Sequence, residues 1–63
     1  MSDGRQGGYL IEFIQVGNAV KVSAVDPKTG LEVSIVGSPL MSRDQLSRAA
    51  VQKLEYRLSK AQK

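Results

Sequence analysis

FIQVGNAVKVSAVDPKTGLEVSIVG, residues 13–37, contains two turn signals between runs rich in valine and isoleucine. β-branched residues favour strands, whereas Gly, Asn, Asp and Pro favour turns. Gly17-Asn18 suits a two-residue hairpin loop, because both residue types tolerate positive φ. The DPKTG sequence at residues 26–30 supplies a side-chain acceptor, a proline for the first turn position and a glycine for a left-handed exit. The stretch therefore predicts a three-stranded antiparallel meander with strands at residues 9–16, 19–26 and 31–37.

The two predicted loops can be tested against each other, because strand side chains alternate between the two faces of a sheet. A two-residue loop pairs Val16 with Ala19, and a four-residue loop pairs Asp26 with Leu31. When these pairings are continued along the strands, both loops place the same apolar side chains on one face: Ile11, Phe13, Val20, Val22, Ala24, Leu31, Val33 and Ile35. This agreement predicts a sheet with one defined buried face.

The opposite face is expected to remain open, and half of its side chains are apolar. Its predicted apolar members are Leu10, Ile14, Val16, Val25 and Val36, interspersed with Glu12, Lys21, Ser23, Glu32 and Ser34. Leu10, Ile14, Val25 and Val36 are expected to form one contiguous patch. One interpretation is strand propensity alone, since scattered exposed apolar residues are common. The other is a protein contact through this face. Pairing of the first or third strand at its edge is a second route to a dimer.

LMSRDQLSRAAVQKLEYRL, residues 40–58, predicts a helix over residues 43–61. Ser42 and Gln45 have the spacing of a capping box, and Met41 and Leu46 that of a hydrophobic staple. At about 100° per residue, one face carries the apolar side chains: Leu46, Ala50, Leu54 and Leu58, with Val51 and Ala61 at its margins. The predicted fold is a single α+β mini-domain over residues 9–63, in the order β-β-β-α, with the helix packed on one sheet face. Residues 1–8, polar and rich in glycine, are expected to be a flexible tail.

The net charge of +3 is unevenly distributed. Residues 1–40 hold three basic and four acidic residues, whereas residues 41–63 hold two acidic residues and six basic ones: Arg43, Arg48, Lys53, Arg57, Lys60 and Lys63. The favoured interpretation is that these residues solvate the helix and complement its dipole. The alternative is contact with nucleic acid or another anionic partner. Glu55, which is expected to interrupt the basic row, and the scarcity of aromatic residues count against nucleic acid without excluding it.

The composition excludes several function classes. The chain has no cysteine and no histidine, so it has no disulfide, and its acidic residues are too dispersed to predict a catalytic or metal site. No cofactor, small-molecule substrate or membrane span is predicted. The absence of cysteine and of a signal peptide favours the cytoplasm.

Three motifs resemble a known group of sequences: VGNAVKVSAVDP (residues 16–27), TGLEVSIVG (residues 29–37) and A-x-x-K-L-E-Y (residues 50–56). They resemble short bacterial proteins that are classed as a domain of unknown function. The resemblance extends over residues 9–58 and implies no activity, substrate or binding residue. The expected function is therefore that of a non-enzymatic interaction module, which uses its open sheet face for weak self-association or for binding a protein. The alternative is a weak nucleic-acid binder that uses the basic helix.

Overall fold

The computed structural model describes residues 4–6 and 8–61. It contains strands β1 (Gly4–Gln6), β2 (Tyr9–Val16), β3 (Ala19–Val25) and β4 (Glu32–Gly37), followed by helix α1 (Arg43–Ala61). The strands form one antiparallel sheet in the order β1-β2-β3-β4. α1 packs across β3 and β4 on one face of this sheet. The predicted β-β-β-α order is confirmed by β2, β3, β4 and α1.

Both predicted hairpin registers are confirmed. Val16 pairs with Ala19 across the first loop, and Ala24 pairs with Val33 beyond the second. Gly17 has a φ of 59°, and no residue other than glycine has a positive φ in the described part of the chain. The loop at Gly17-Asn18 therefore needs only its glycine in the left-handed region, which is typical of a type II′ hairpin turn.

The predicted flexible tail is wrong for residues 4–6, which form β1. Gln6 pairs with Tyr9, and Gly4 pairs with Ile11. Gly8 precedes β2 with a φ of 88°, a conformation that glycine adopts without the steric cost that a Cβ would add. Gly-Gly is itself a dipeptide of two-residue hairpins, so the tail sequence contained a turn signal. Residues 1–3 and Gly7 of the predicted tail lie outside the described residues.

Asp26 organises the loop between β3 and β4 from a buried position, with an exposure of 8%. Its Oδ1 accepts a hydrogen bond from the Lys28 backbone N–H at 3.0 Å, and its Oδ2 accepts one from the Thr29 hydroxyl at 3.3 Å. The Gly30 N–H donates to the Asp26 carbonyl at 2.8 Å, and Gly30 has a φ of 79°. The predicted acceptor and left-handed glycine are therefore both present in this turn.

The core lies between the sheet and α1. Every side chain predicted on the buried sheet face is buried or half-buried. The buried apolar side chains are Ile11, Val22, Ala24, Val33, Leu46, Ala50 and Leu54. Val51 packs at the margin of this cluster, as the helical period predicts, and Leu58, which was predicted on the apolar face itself, is half-buried against the cluster.

The start of α1 has the predicted capping box. The Gln45 N–H donates to the Ser42 hydroxyl at 3.1 Å, and the Ser42 N–H donates to the Gln45 side-chain oxygen at 3.0 Å. These reciprocal bonds satisfy backbone donors that the first helical turn leaves without partners. They fix the residue at which α1 begins, and packing against β3 and β4 sets its path over the sheet.

Candidate interaction surfaces

The sheet face opposite α1 is exposed to solvent, and we refer to it as the open face. Its large apolar side chains are exposed by 41% at Leu10, 43% at Ile14, 57% at Val16 and 72% at Val36. Val25 is half-buried. α1 cannot cover these side chains, because it packs on the opposite face of the same strands.

The register divides the apolar residues of the open face, so the expected contiguous patch is wrong. Leu10 lies opposite Val25 near one end of the strands. Towards the other end, Lys21 lies between Ile14 and Val36 in one cross-strand row. Between these two groups runs a row that is entirely polar: Glu12, Ser23 and Ser34. The open face therefore has two apolar clusters, one of Leu10 and Val25 and one of Ile14, Val16 and Val36 around Lys21.

The charged residues of the open face have both signs. Glu12, Lys21 and Glu32 are exposed there, whereas Ser23 is buried between its neighbours on the adjacent strands. A surface with interspersed charges of both signs can match a copy of itself, since each acidic side chain can meet a basic one. This charge pattern is unsuited to a nucleic-acid backbone, which repels carboxylates.

The outer edge of β4 directs backbone groups away from the sheet. The Asp26 N–H donates to the Leu31 carbonyl at 2.9 Å, which sets the alternation of the hydrogen bonds between β3 and β4. In an antiparallel pair, every second residue directs its N–H and C=O towards the neighbour, and the residues between direct theirs away. The residues of β4 that direct these groups away from β3 are Glu32, Ser34 and Val36.

Lys53 covers part of this edge. Its Nζ donates a hydrogen bond to the Ser34 carbonyl oxygen at 2.9 Å. A lysine placed over an edge strand is a common device against unwanted strand pairing. This contact also shows that the Lys53 side of α1 faces the β4 edge.

Most of the basic residues proposed as anionic-partner contacts have intramolecular neighbours. The Arg43 guanidinium carbon lies 4.6 Å from the centre of the Phe13 ring, and Lys60 Nζ lies 5.4 Å from the centre of the Tyr56 ring. Arg48 forms an exposed ion pair with Asp44 at 3.1 Å, an arrangement that contributes little stability. Lys63 lies outside the described residues.

Glu55 does not interrupt the basic residues near β4, contrary to the sequence-based expectation. The Tyr9 hydroxyl donates to Glu55 Oε2 at 3.5 Å, so Glu55 lies on the flank of α1 that faces β2. Partial burial, together with the negative charges of Glu55 and Asp26, raises the pKa of Tyr9 above its ordinary value of 10.0. Lys53, Arg57 and Lys60 recur at intervals of four and three residues on the other flank, and we call them the basic stripe.

A shallow groove lies where β2 and β3 meet the start of α1. It has a volume of about 260 Å³, and Phe13, Val20, Met41 and Arg43 contribute to its lining. Leu40, next to Met41, is almost fully exposed. The Arg43 side chain occupies the space above Phe13, so the groove combines an apolar floor with a cationic rim.

The described part of the chain contains neither a metal-binding cluster nor a membrane-spanning helix. The carboxylates of residues 4–6 and 8–61 form no group of three or more that could hold a metal ion. In residues 4–6 and 8–61, no helix has the length and apolar character needed to cross a membrane.

A family model matches almost the whole chain. Its description is "Domain of unknown function (DUF6898)", and it matches residues 6–62. The chain belongs to the DUF6898 family. Neither the curated proteins nor the solved structures contain a match to the chain. Membership in DUF6898 confirms the resemblance to a domain of unknown function, and its description assigns neither an activity nor a binding residue.

Proposed function

We propose that this DUF6898 protein is a small, non-enzymatic interaction module that self-associates weakly through its open face. The observation that carries the proposal is the exposure of Leu10, Ile14, Val16 and Val36 on a sheet whose other face is covered by α1. Exposed apolar clusters rimmed by polar residues are typical of protein contacts.

The size of the open face supports a weak association. At a strand spacing of about 4.8 Å and a rise of about 3.3 Å per residue, three strands of seven residues cover roughly 330 Å² in projection. Stable complexes bury about 800 Å² on each partner. Burial of the two apolar clusters contributes about 25 cal/mol for each Å² of apolar area, and association entropy opposes it. We therefore expect a dimer that forms at high micromolar concentration.

A second copy is the partner that the charges of the open face support best. In a two-fold contact, each copy offers the same surface, so Lys21 of one copy can approach Glu12 or Glu32 of the other. A foreign protein would have to reproduce this alternation of apolar clusters and opposite charges. The polar row at Glu12, Ser23 and Ser34 would then lie at the centre of the interface.

The setting proposed for this module is the bacterial cytoplasm. The absence of cysteine supports a location where disulfides are not used for stability. The absence of histidine and the wide separation of the carboxylates support a role without catalysis.

Nucleic-acid binding by α1 is the alternative function. It is favoured by one observation, the segregation of Glu55 from the basic stripe on opposite flanks of the helix. It is disfavoured by the contacts of Arg43, Arg48 and Lys53 within the chain, which a phosphate would have to replace. Binding through phosphates weakens steeply with salt, so anisotropy of labelled duplex and single-stranded DNA over a salt series tests it. We expect no binding at physiological salt, and a salt-sensitive complex at low micromolar protein would favour the alternative.

Self-association is tested by sedimentation equilibrium over a range of protein concentrations. The test variant replaces Ile14 and Val36 by threonine, which keeps the β-branched shape while removing apolar area. Leu40→Thr is the matched control, because Leu40 is exposed but lies outside the sheet. We expect the parent and the control to be partly dimeric at high micromolar concentration and the double variant to be monomeric. A strictly monomeric parent would contradict the proposal.

A further inference from the structure

We propose that the β4 edge and the basic stripe together bind an extended acidic peptide segment of a partner protein. The segment adds a strand to the sheet beside β4, and its carboxylates contact the basic stripe. This inference goes beyond the proposed self-association, because it uses the edge of the sheet and one flank of α1 instead of the open face.

The backbone of β4 supplies the pairing groups. β4 is the last strand in the sheet order, and Glu32, Ser34 and Val36 direct their backbone N–H and C=O groups away from β3. An extended peptide can pair with such a row, since each outward residue donates one hydrogen bond and accepts another. The affinity from the backbone is independent of side chains, so selectivity must come from the surroundings of the edge.

The basic stripe supplies that selectivity. The Lys53–Ser34 hydrogen bond places Lys53 above the β4 edge, and Arg57 and Lys60 follow it along the same flank of α1. Along a helix, four residues advance about 6 Å, close to the roughly 6.7 Å between alternate residues of a strand. For an added strand that runs along α1, acidic residues at alternate positions would therefore face Lys53 and Arg57 together. The preferred segment thus has acidic side chains at every second position.

Lys53 changes partners when the segment binds. In the free protein its ammonium donates to the Ser34 carbonyl and thereby covers one acceptor of the edge. An incoming strand offers a backbone N–H to that carbonyl and a carboxylate to the ammonium. Both groups remain hydrogen-bonded after the exchange, so the cover on the edge does not exclude an acidic strand. The Lys53 cover does disfavour a strand without carboxylates, because such a strand would take the Ser34 carbonyl from the Lys53 ammonium and offer no acceptor in its place.

The same charges argue against a second copy at the β4 edge. An antiparallel two-fold pairing of two β4 strands would place both helices on the same face of one continuous sheet. The basic stripes of the two copies would then face each other across the joint, and like charges repel. A nucleic acid could contact the basic stripe, but it has no peptide groups that match the edge of β4. An acidic peptide uses both features.

The probe is a labelled, acetylated peptide in which threonine and glutamate alternate, titrated with the full chain carrying Ile14→Thr and Val16→Thr, two open-face positions on β2 that lie away from the β4 edge. These substitutions remove open-face association, so that failure of the proposed dimer and failure of this inference remain distinguishable. Anisotropy reports affinity, and ¹H–¹⁵N spectra report which amides respond. We expect saturable binding with shifts at the amides of Glu32, Ser34 and residue 36.

Matched variants separate charge from position. Arg57→Gln and Lys60→Gln should each weaken binding about twofold to fivefold, the range expected for an exposed ion pair. Arg48→Gln removes the same charge from a side chain that pairs with Asp44, and it should leave the affinity unchanged. Equal weakening by all three variants would overturn the proposal, because it would indicate attraction to net charge alone.

Modified peptides test the strand pairing. N-methylation at alternate residues blocks one hydrogen-bonding side of the peptide while keeping its carboxylates, and we expect it to abolish the β4 shifts. A peptide with lysine in place of glutamate should not bind. Retained affinity of the N-methylated peptide, or equal affinity of an oligothymidine of similar charge, would overturn the proposal. The absence of binding by the unmodified peptide at millimolar concentration would overturn it as well.

Discussion

Leu46 of α1 packs directly over Gly37 at the end of β4, and a Cβ atom at Gly37 would collide with the Leu46 side chain. Leu46 is only 2% exposed, so surrounding core residues restrict its movement. The glycine therefore sets how closely the first turns of α1 approach the sheet. This close approach is one reason why the helix lies over β3 and β4, with the Lys53 flank beside the β4 edge.

Gly37→Ala should destabilise the protein by about 1–3 kcal/mol, because the added methyl group overpacks the site. The measurement is the free energy of unfolding from denaturant titration. Leu46→Ala is the partner in a double-mutant cycle, since it removes the atoms that the new methyl would meet. In the Leu46→Ala background, Gly37→Ala should lower the free energy of unfolding by a smaller amount. Equal costs in both backgrounds would show that the Leu46 contact does not restrict position 37.

Ser42→Ala should reduce the free energy of unfolding by about 0.5–2 kcal/mol. The substitution removes the hydroxyl that accepts from the Gln45 N–H, whereas the backbone N–H of residue 42 can still donate to the Gln45 side-chain oxygen. Ser59→Ala, at an exposed position within α1, controls for the replacement of serine by alanine in a helix. An unchanged unfolding midpoint for Ser42→Ala would indicate that the helix does not depend on this cap.

Asp26→Ala should cost about 1–2 kcal/mol, because the buried carboxylate accepts from the Lys28 N–H and the Thr29 hydroxyl. Asp26→Asn keeps one acceptor oxygen and should retain part of the stability. Glu32→Ala removes an exposed carboxylate nearby and should have little effect. If Asp26→Ala and Glu32→Ala proved equally mild, the side-chain bonds of the DPKTG turn would not contribute to stability.

Tyr9 should titrate above pH 10.0, and Glu55→Gln should lower its pKa, since the Glu55 charge opposes ionisation of the phenol. A raised pKa in the folded state means that the Tyr9 phenol stays protonated to a higher pH in the native protein than in the unfolded chain. The contribution to stability is therefore complete below pH 10.0 and declines as the pH rises through the folded pKa. Ultraviolet titration in a Tyr56→Phe background isolates Tyr9. An unchanged Tyr9 titration in Glu55→Gln would contradict the contact between the two residues.

The sheet was predictable because two independent local signals, loop composition and the two-residue period, agree on one register. β1 was missed because its Gly-Arg-Gln sequence lacks the β-branched residues that mark a strand, although Gly-Gly is a hairpin dipeptide. The helix start was predictable because the capping box depends on residues only three positions apart.

Two features of the candidate surfaces were present in the sequence but not recognised. The predicted register already places Lys21 between Ile14 and Val36, so the division of the open face follows from it. The helical period also rotates Glu55 by about 200° from Lys53, which separates it from the basic stripe. The bond from Lys53 to Ser34 could not be predicted, because it depends on where α1 lies across the sheet. That position is set by packing between elements, including Leu46 on Gly37, and local patterns do not encode it.

The central claim, that two copies meet through the open face, is tested most directly by isotope-filtered nuclear Overhauser spectra. An equimolar mixture of ¹³C-labelled and unlabelled protein at high concentration yields signals only between different copies. The account predicts intermolecular contacts from the methyl groups of Ile14, Val16 and Val36, and none from Leu54 in the buried core. Intermolecular contacts confined to α1 or to the groove at Met41, or no contacts at a concentration where sedimentation shows a dimer, would contradict it.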